Sequence, residues 1–221
     1  GIELGKIKEV RVAGLALKRK IFIAYSCRHP ATRAQTEFWN FGKAQQAYTD
    51  KLLSLIPKGV KTILDVGCGT GMVAKLLKSK GYQVECISPS TFLTQKVKDN
   101  DPSLTVYECK FEDFKPPKKY DLLLFCESYQ YIKLNDLFKK LSECVTRDGY
   151  LMLSDIFKTN PNNRGPVGGG HLYNDHIEIC ARSHYTLIAD MDITENISPT
   201  FDLLQNIQIQ LLKPLLDNTI R

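Results

Sequence analysis

The sequence predicts an α/β fold, a mostly parallel sheet with helices on both faces, and three observations predict it. From residue 61 onward short apolar runs alternate with amphipathic stretches, the order that strand–helix–strand crossovers produce. Within Tyr120–Cys126 the run Leu122–Cys126 is apolar throughout, as a strand covered on both faces requires. A glycine-rich turn, Gly67–Gly71, joins the first of these strands to the first helix that follows it. Ligands in such sheets sit outside the carboxyl ends of the strands, at the point where strand order reverses.

Each element has its own signal. Lys61–Val66 reads as a strand that carries Asp65 near its end. Met72–Ser79 sets Val73, Leu76 and Leu77 on one helical face, and Gly81 stops the helix. Tyr82–Ile87 and Leu104–Cys109 read as strands two and three, with a helix over Thr91–Lys98 between them. Pro116-Pro117 marks a turn before strand four, Tyr120–Cys126. Asn135–Val145 places Leu137, Phe138, Leu141 and Val145 at core spacing, Asp148-Gly149 suggests a turn, and Tyr150–Ile156 is strand five. Beyond it come a loop over Lys158–Gly170, a helix over Leu172–Arg182, a sixth strand over Tyr185–Met191 and an amphipathic helix over Phe201–Leu216. No seventh strand is legible, and an edge left without a partner would favour a homodimer. Upstream, Ala44–Leu55 reads as a helix closed by Pro57. The expected division is an N-terminal basic and aromatic lid segment over 1–50 and a ligand-binding core over 51–221.

Composition narrows the function classes. With 43% hydrophobic and 24% charged residues over 221 positions, the chain is an ordinary globular sequence with enough length for one core. No apolar run approaches the roughly 18 residues of a membrane span. The seven cysteines are odd in number and lack paired spacing, which predicts reduced thiols in a cytoplasmic protein, neither a disulfide framework nor a metal site. The formal charge of +6 is uneven, because residues 1–61 hold twelve basic and four acidic side chains while the remainder is slightly acidic. The basic front either forms a solvated extension or attracts an anionic partner.

The chemistry is carried by Ile63-Leu64-Asp65-Val66-Gly67-Cys68-Gly69-Thr70-Gly71. Glycines let a backbone approach a ligand closely, and an acid two residues before the first glycine suits an ammonium group. A dinucleotide loop expects Gly-x-Gly-x-x-Gly, and Met72 occupies that last glycine position.

On these residues the sequence resembles the class I S-adenosylmethionine (SAM)-dependent methyltransferases, over about residues 37–195, and within them the small-molecule subset of natural-product and lipid-quinone type. The resemblance implies a Rossmann-like core with SAM as cofactor. It implies Asp65, Gly67, Cys68 and Gly69 at the methionine end of SAM, and Ser88 and Pro89 after strand two where the family usually carries an acid for the ribose. Gln95 in the next helix is the expected companion of Ser88, whereas Glu85 reaches that place only by a register change. Phe111, through its backbone, and Glu112 are the expected adenine contacts, and Cys126 opens the segment Cys126–Ile132 that faces methionine and acceptor. Many relatives carry His where this chain has Gln130. Glu37–Gly42, with Phe38, Trp39 and Phe41, is similar to the aromatic stretch of a lid, or else packs as core.

The remaining catalytic candidates are His171, which follows the loop Gly165–Gly170, and Glu127, as proton acceptors for the nucleophile. The leading expectation is methyl transfer to carbon, nitrogen or oxygen of a small-molecule acceptor. Two alternatives remain at this level. One is a nucleic-acid methyltransferase, against which Cys126-Glu127-Ser128-Tyr129 stands where an Asn-Pro-Pro-Tyr-type motif would be. The other is a non-catalytic SAM-binding or partner-scaffold protein.

Overall fold

The structure is a computed structural model and describes residues 33–162 and 170–194. The order of elements is α1 (Arg33–Ser54), β1 (Thr62–Val66), α2 (Met72–Ser79), β2 (Gln83–Ser88), α3 (Thr91–Asn100), β3 (Thr105–Glu108), β4 (Tyr120–Cys126), α4 (Leu134–Cys144), β5 (Val145–Ser154), β6 (Phe157–Lys158), β7 (His171–Leu172) and α5 (Tyr173–Arg182). Short 3-10 turns at Phe111–Asp113 and Tyr129–Tyr131 follow β3 and β4.

β1 to β5 form one parallel sheet in the order β3-β2-β1-β4-β5. The chain builds outward from β1 to β3 and then returns to lay β4 on the other side of β1. The reversal opens a crevice between the carboxyl ends of β1 and β4.

The period-2 geometry of the strands divides the core into two layers. Leu64, Val66, Leu123 and Phe125 pack under Leu137, Phe138 and Leu141 of α4 and Ile179 of α5. Ile63, Cys86, Leu122 and Leu124 pack under Ala74 and Leu77 of α2 and Val97 of α3. Both faces of the sheet are covered, which explains why β4 is apolar over Leu122–Cys126.

Several boundaries differ from the sequence expectation. Asp148-Gly149 does not end an element: β5 starts at Val145 and passes through it, with an irregularity where the register moves from Tyr120↔Val145 to Leu122↔Tyr150. The turn-forming pair is absorbed as a bulge, which parallel neighbours tolerate at a sheet's outer strand. The expected sixth strand is corrected. His184 takes a left-handed φ of 61° after α5, and Tyr185–Met191 forms no strand. Leu187 and Ile188 there are 57% and 72% exposed, so the β-type composition finds no neighbour to pair with among the described residues. In place of that strand the two-residue β6 and β7 pair in parallel. α1 begins at Arg33, well before Ala44, and is continuous past residue 50. Residues 1–32, the helix expected over Phe201–Leu216, the loop residues 163–169 and the side chains of Glu37–Gly42 lie outside the described residues.

Candidate functional site

The turn after β1 is held in place from two sides. The N–H groups of Gly67 and Cys68 donate to the Ile87 carbonyl at the end of β2, at 2.9 and 3.3 Å. Across the crevice, the Ser128 hydroxyl donates to the Val66 carbonyl. Gly67 has a φ of 75°, and a Cβ added to it would overlap the Ser128 side chain, with Oγ at 3.0 Å. Glycine is needed here both for conformation and for the approach of the β4 loop. Gly69 has a φ of 56° and open space beside it, so the second glycine is left free to border a ligand. Gly71, at φ 79°, caps α2 and lies against Val97 of α3.

Asp65 projects from β1 into the layer that also holds Cys68, buried, and Cys86, its register partner on β2. It is 1% exposed, and its Oδ2 has no hydrogen-bond partner among the described residues. Burial alone pushes its carboxyl from 3.8 up to about 7. The Cys86 thiol is pushed up as well, by its hydrogen bond with Cys68, by burial and by the Asp65 charge. A buried acid without a cation is costly, and this one stands at the topological switch point.

The other expected cofactor residues divide into two groups. Ser88 ends β2 at 1% exposure and accepts from the Ser90 N–H at 3.3 Å, leaving its hydroxyl at the carboxyl edge of the sheet. Pro89 beside it is exposed. Phe111 is buried with its ring edge-on to Phe125 at 5.5 Å, so only its backbone is available to a ligand, and Glu112 next to it is half-buried. Cys126 is half-buried at the end of β4. Gln95, the expected companion of Ser88, lies on the exposed side of α3. It is exposed and donates within α3 to Asp99 at 2.9 Å, because the first turn of α3 turns Thr94, not Gln95, inward. Thr94 is 2% exposed and its Oγ1 has no hydrogen-bond partner among the described residues. Glu85 keeps to the opposite face, as the unshifted register requires, and accepts from the hydroxyls of Tyr107 and Tyr120 at 2.7 Å each while pairing with Lys118 at 2.5 Å.

Both catalytic candidates converge on the segment after β4. Glu127 is exposed and left-handed, φ 59°, with its N–H donating to the Ser154 carbonyl at 2.9 Å. A non-glycine residue in that region is held there by its surroundings. Two residues on, Tyr129 is fully buried, and its carbonyl oxygen accepts from His171 Nε2 at 3.1 Å. A carbonyl can only accept, so His171 carries its proton on Nε2 and leaves the Nδ1 lone pair as its basic atom. The Tyr129 hydroxyl meets Nδ1 of buried His176 at 2.7 Å, and the rings of His171 and His176 both stand edge-on to the Tyr129 ring. Asp155, buried at the end of β5, accepts from the Gln130 N–H at 3.1 Å.

Sequence reasoning missed Cys86, Thr94, Ser128, His176 and Asp155. Each is an ordinary core or turn residue by pattern, and only Asp155, an acid directly after a strand, carries a usable signal. A cavity of about 500 Å³ lined by Lys58, Asp121, Arg147 and Tyr150 lies at the other, amino-terminal edge of the sheet and contains none of these residues.

Burial lowers the His176 imidazole from 6.5 to about 4. Its folded value lies below its unfolded one, so the neutral ring costs nothing above about pH 6.5, and stability is lost as pH falls from there to about 4. The loss amounts to about 2–3 kcal/mol at roughly 1.4 kcal/mol per pH unit. Urea unfolding of the wild type and His176→Gln at pH 7 and pH 4.5 checks this. Because protonation of Asp65 stabilises the fold over the same range, the wild type should change little on acidification while the variant gains stability.

Comparison with known proteins follows this geometry. A family model described as a methyltransferase domain matches residues 41–193. An uncharacterized methyltransferase of Staphylococcus carnosus is 24% identical over 168 residues, 72% of this chain and 79% of that protein. Malonyl-[acyl-carrier protein] O-methyltransferase 1 of Ilyobacter polytropus is 33% identical over 108 residues, 46% of this chain, and the match spans only 40% of that protein. Among solved structures, geranyl diphosphate C-methyltransferase of Streptomyces coelicolor, in complex with Mg2+, geranyl diphosphate and S-adenosyl-L-homocysteine, superposes with a TM-score of 0.73 at 16% identity over 86% of this chain and 80% of that one. That likeness is one of fold.

Proposed function

The chain belongs to the methyltransferase-domain family and is a class I, SAM-dependent enzyme, and on that premise we propose that its acceptor is a small molecule bound against the segment Glu127–Tyr131. The observation that carries the reading is the Asp65 Oδ2, buried and without a hydrogen-bond partner among the described residues, on the strand that leads into the turn where Gly67 meets Ser128. SAM fits this donor set: Asp65 for its ammonium group, the open side of Gly69 for close backbone approach, and the Ser88 hydroxyl, with backbone at Phe111, for the nucleoside. When bound, SAM supplies a methyl group on a positively charged sulfur.

What this chain's residues contribute is position and proton handling. The 3-10 turn Tyr129–Tyr131 is tied to β7 through His171, to α5 through His176 and to β5 through Asp155, which fixes one wall of the crevice. His171 Nδ1 is the proposed proton acceptor for a nucleophile that must lose a proton. Glu127 is the second candidate, at the rim. Names of relatives that act on malonyl-[acyl-carrier protein] and geranyl diphosphate support a small or carrier-linked acceptor.

Turnover is to be followed as S-adenosylhomocysteine formation against a panel of phenols, amines and carboxylic acids. An active acceptor would support the reading, and an active RNA or DNA with an inactive panel would replace it. With an active acceptor, His171→Ala and Glu127→Gln are each expected to lower kcat about 10²-fold, the scale of a single acid–base group, while changing the dissociation constant of S-adenosylhomocysteine by less than about 2-fold. Unchanged kcat in both removes the acid–base assignment.

No helix among the described residues is long and apolar enough to cross a membrane. A cytoplasmic location is part of the proposal, supported by six free cysteines among the described residues. So is self-association through β5, the outer strand of the described sheet, for which a monomeric mass in sedimentation would be the contrary result.

A further inference from the structure

Resting on the reading above, we infer that Asp65 carries a proton in the free protein and releases it to solvent when the ammonium group of the cofactor binds, so that proton exchange at this carboxyl selects ligands that bear the aminoacyl end. The geometry comes first. Asp65 is almost fully buried in the middle strand of the sheet, and its Oδ2 meets no donor among the described residues. With no donor in reach, burying such an oxygen as a charge costs far more than burying it protonated, unless a cation faces it.

Among the described residues the layer around Asp65 also holds the partly buried Tyr82, Cys126 and Tyr150, and its buried members are cysteines and apolar side chains. On β2 the register partner of Asp65 is Cys86, on β4 it is Leu124, and the turn contributes Cys68. The residues of α2 and α3 buried in the same layer are Ala74, Leu77 and Val97, none of which titrates. Burial is the sole cause of the Asp65 shift, with no charged neighbour adding to it. The Cys86 thiol is held protonated, bonded with Cys68. Asp65 is therefore the group of this layer that changes charge near neutrality. Its carboxyl sits at about 7 in the free protein. A bound ammonium ion favours the carboxylate and drives that value down.

Exchange balances simply: the carboxylic acid loses one proton to buffer, and the ligand's ammonium, already protonated, takes its place as the charge partner. A ligand lacking the amino-acid moiety, such as 5′-methylthioadenosine, offers no cation and leaves the proton where it is.

Isothermal titration with S-adenosylhomocysteine, in phosphate and in imidazole so that buffer heat counts the protons, tests the inference. Near pH 6 close to one proton should be released per ligand bound, falling toward zero above about pH 8, and affinity should weaken about 10-fold from pH 8 to pH 6. Zero release at pH 6 with binding intact overturns the inference. Absence of binding at every pH overturns the functional reading instead. Asp65→Asn identifies the source of the proton: if the variant binds and still releases one, the inference is wrong. If the variant does not bind, unfolding of the free protein decides, because the stability difference between Asp65→Asn and wild type must grow as pH rises from 5 to 8. A difference independent of pH, or a variant that does not fold, overturns it.

Discussion

Replacing Gly67 with alanine should destabilise the protein by on the order of 3 kcal/mol and abolish binding of S-adenosylhomocysteine. Two costs add. A φ of 75° is strained for any residue with a Cβ, at about 1 kcal/mol or more. The new Cβ would also overlap the Ser128 side chain close to its backbone, with the Ser128 Cα only 3.7 Å away. Ser128 cannot swing clear, because overlap at its own Cβ can be relieved only by moving the chain. That chain is Glu127–Tyr131, tied down by Ser154, His171, His176 and Asp155. The two costs are separable. In Gly67→Ala/Ser128→Gly the overlap is gone and the backbone strain stays, so the double variant should lie at least about 1 kcal/mol above additivity in urea unfolding. Gly69→Ala is the control. With open space around it and a φ of 56°, it should lose about 1 kcal/mol of stability from conformation alone. Additive behaviour at Gly67 and Ser128 would mean that the two loops do not meet as described.

Asp65→Asn should have the opposite effect on the free protein: a gain of about 3 kcal/mol at pH 8, together with loss of cofactor affinity. The folded-state carboxyl, at about 7, lies above its unfolded value of 3.8. A group of that kind gives its full stability below about pH 4 and loses it as pH rises through about 7. At roughly 1.4 kcal/mol per unit the loss is at most about 4.5 kcal/mol. Asparagine keeps the shape and has no proton to lose. The gain should therefore rise from about 1.5 kcal/mol at pH 5 to nearly its full value at pH 8, measured as the difference in unfolding free energy. His176 acts in the reverse direction, losing stability as pH falls from 6.5 to about 4. In the wild type the two slopes offset each other between about pH 4 and 6.5. Asp65→Asn should expose the acid-side loss, and His176→Gln the neutral-side one. A cofactor site that is destabilising when empty is the expected counterpart of one that binds an ion tightly.

The reach of the sequence can be read at particular residues. β4 was placed to the residue, Tyr120–Cys126, and α2 likewise, Met72–Ser79. Apolar runs and helical spacing report local burial, and both elements are buried on the faces those patterns imply. The turn from Gly67 to Gly71 was legible because glycines at that spacing mark positive-φ backbone, which Gly67, Gly69 and Gly71 all adopt. Tyr185–Met191 failed for the same reason that β4 succeeded: composition signals the capacity to pair, and pairing needs a neighbour. That Thr94 and not Gln95 is the buried member of the pair was not legible, because one residue of rotation on a helix exchanges the buried side for the exposed one.

The amino-acid sequence by itself determined the alternating α/β order, the glycine turn and the acid that precedes it, since these follow from periodicity and from conformations open to few residue types. Tertiary structure alone decided that Asp65 Oδ2 would find no hydrogen-bond partner among the described residues, that Ser128 would close on Gly67, and that His171 Nε2 would bond to the Tyr129 carbonyl. Each of these depends on contacts between segments about 40 to 65 residues apart in sequence, and no local pattern encodes which distant backbone a side chain will meet.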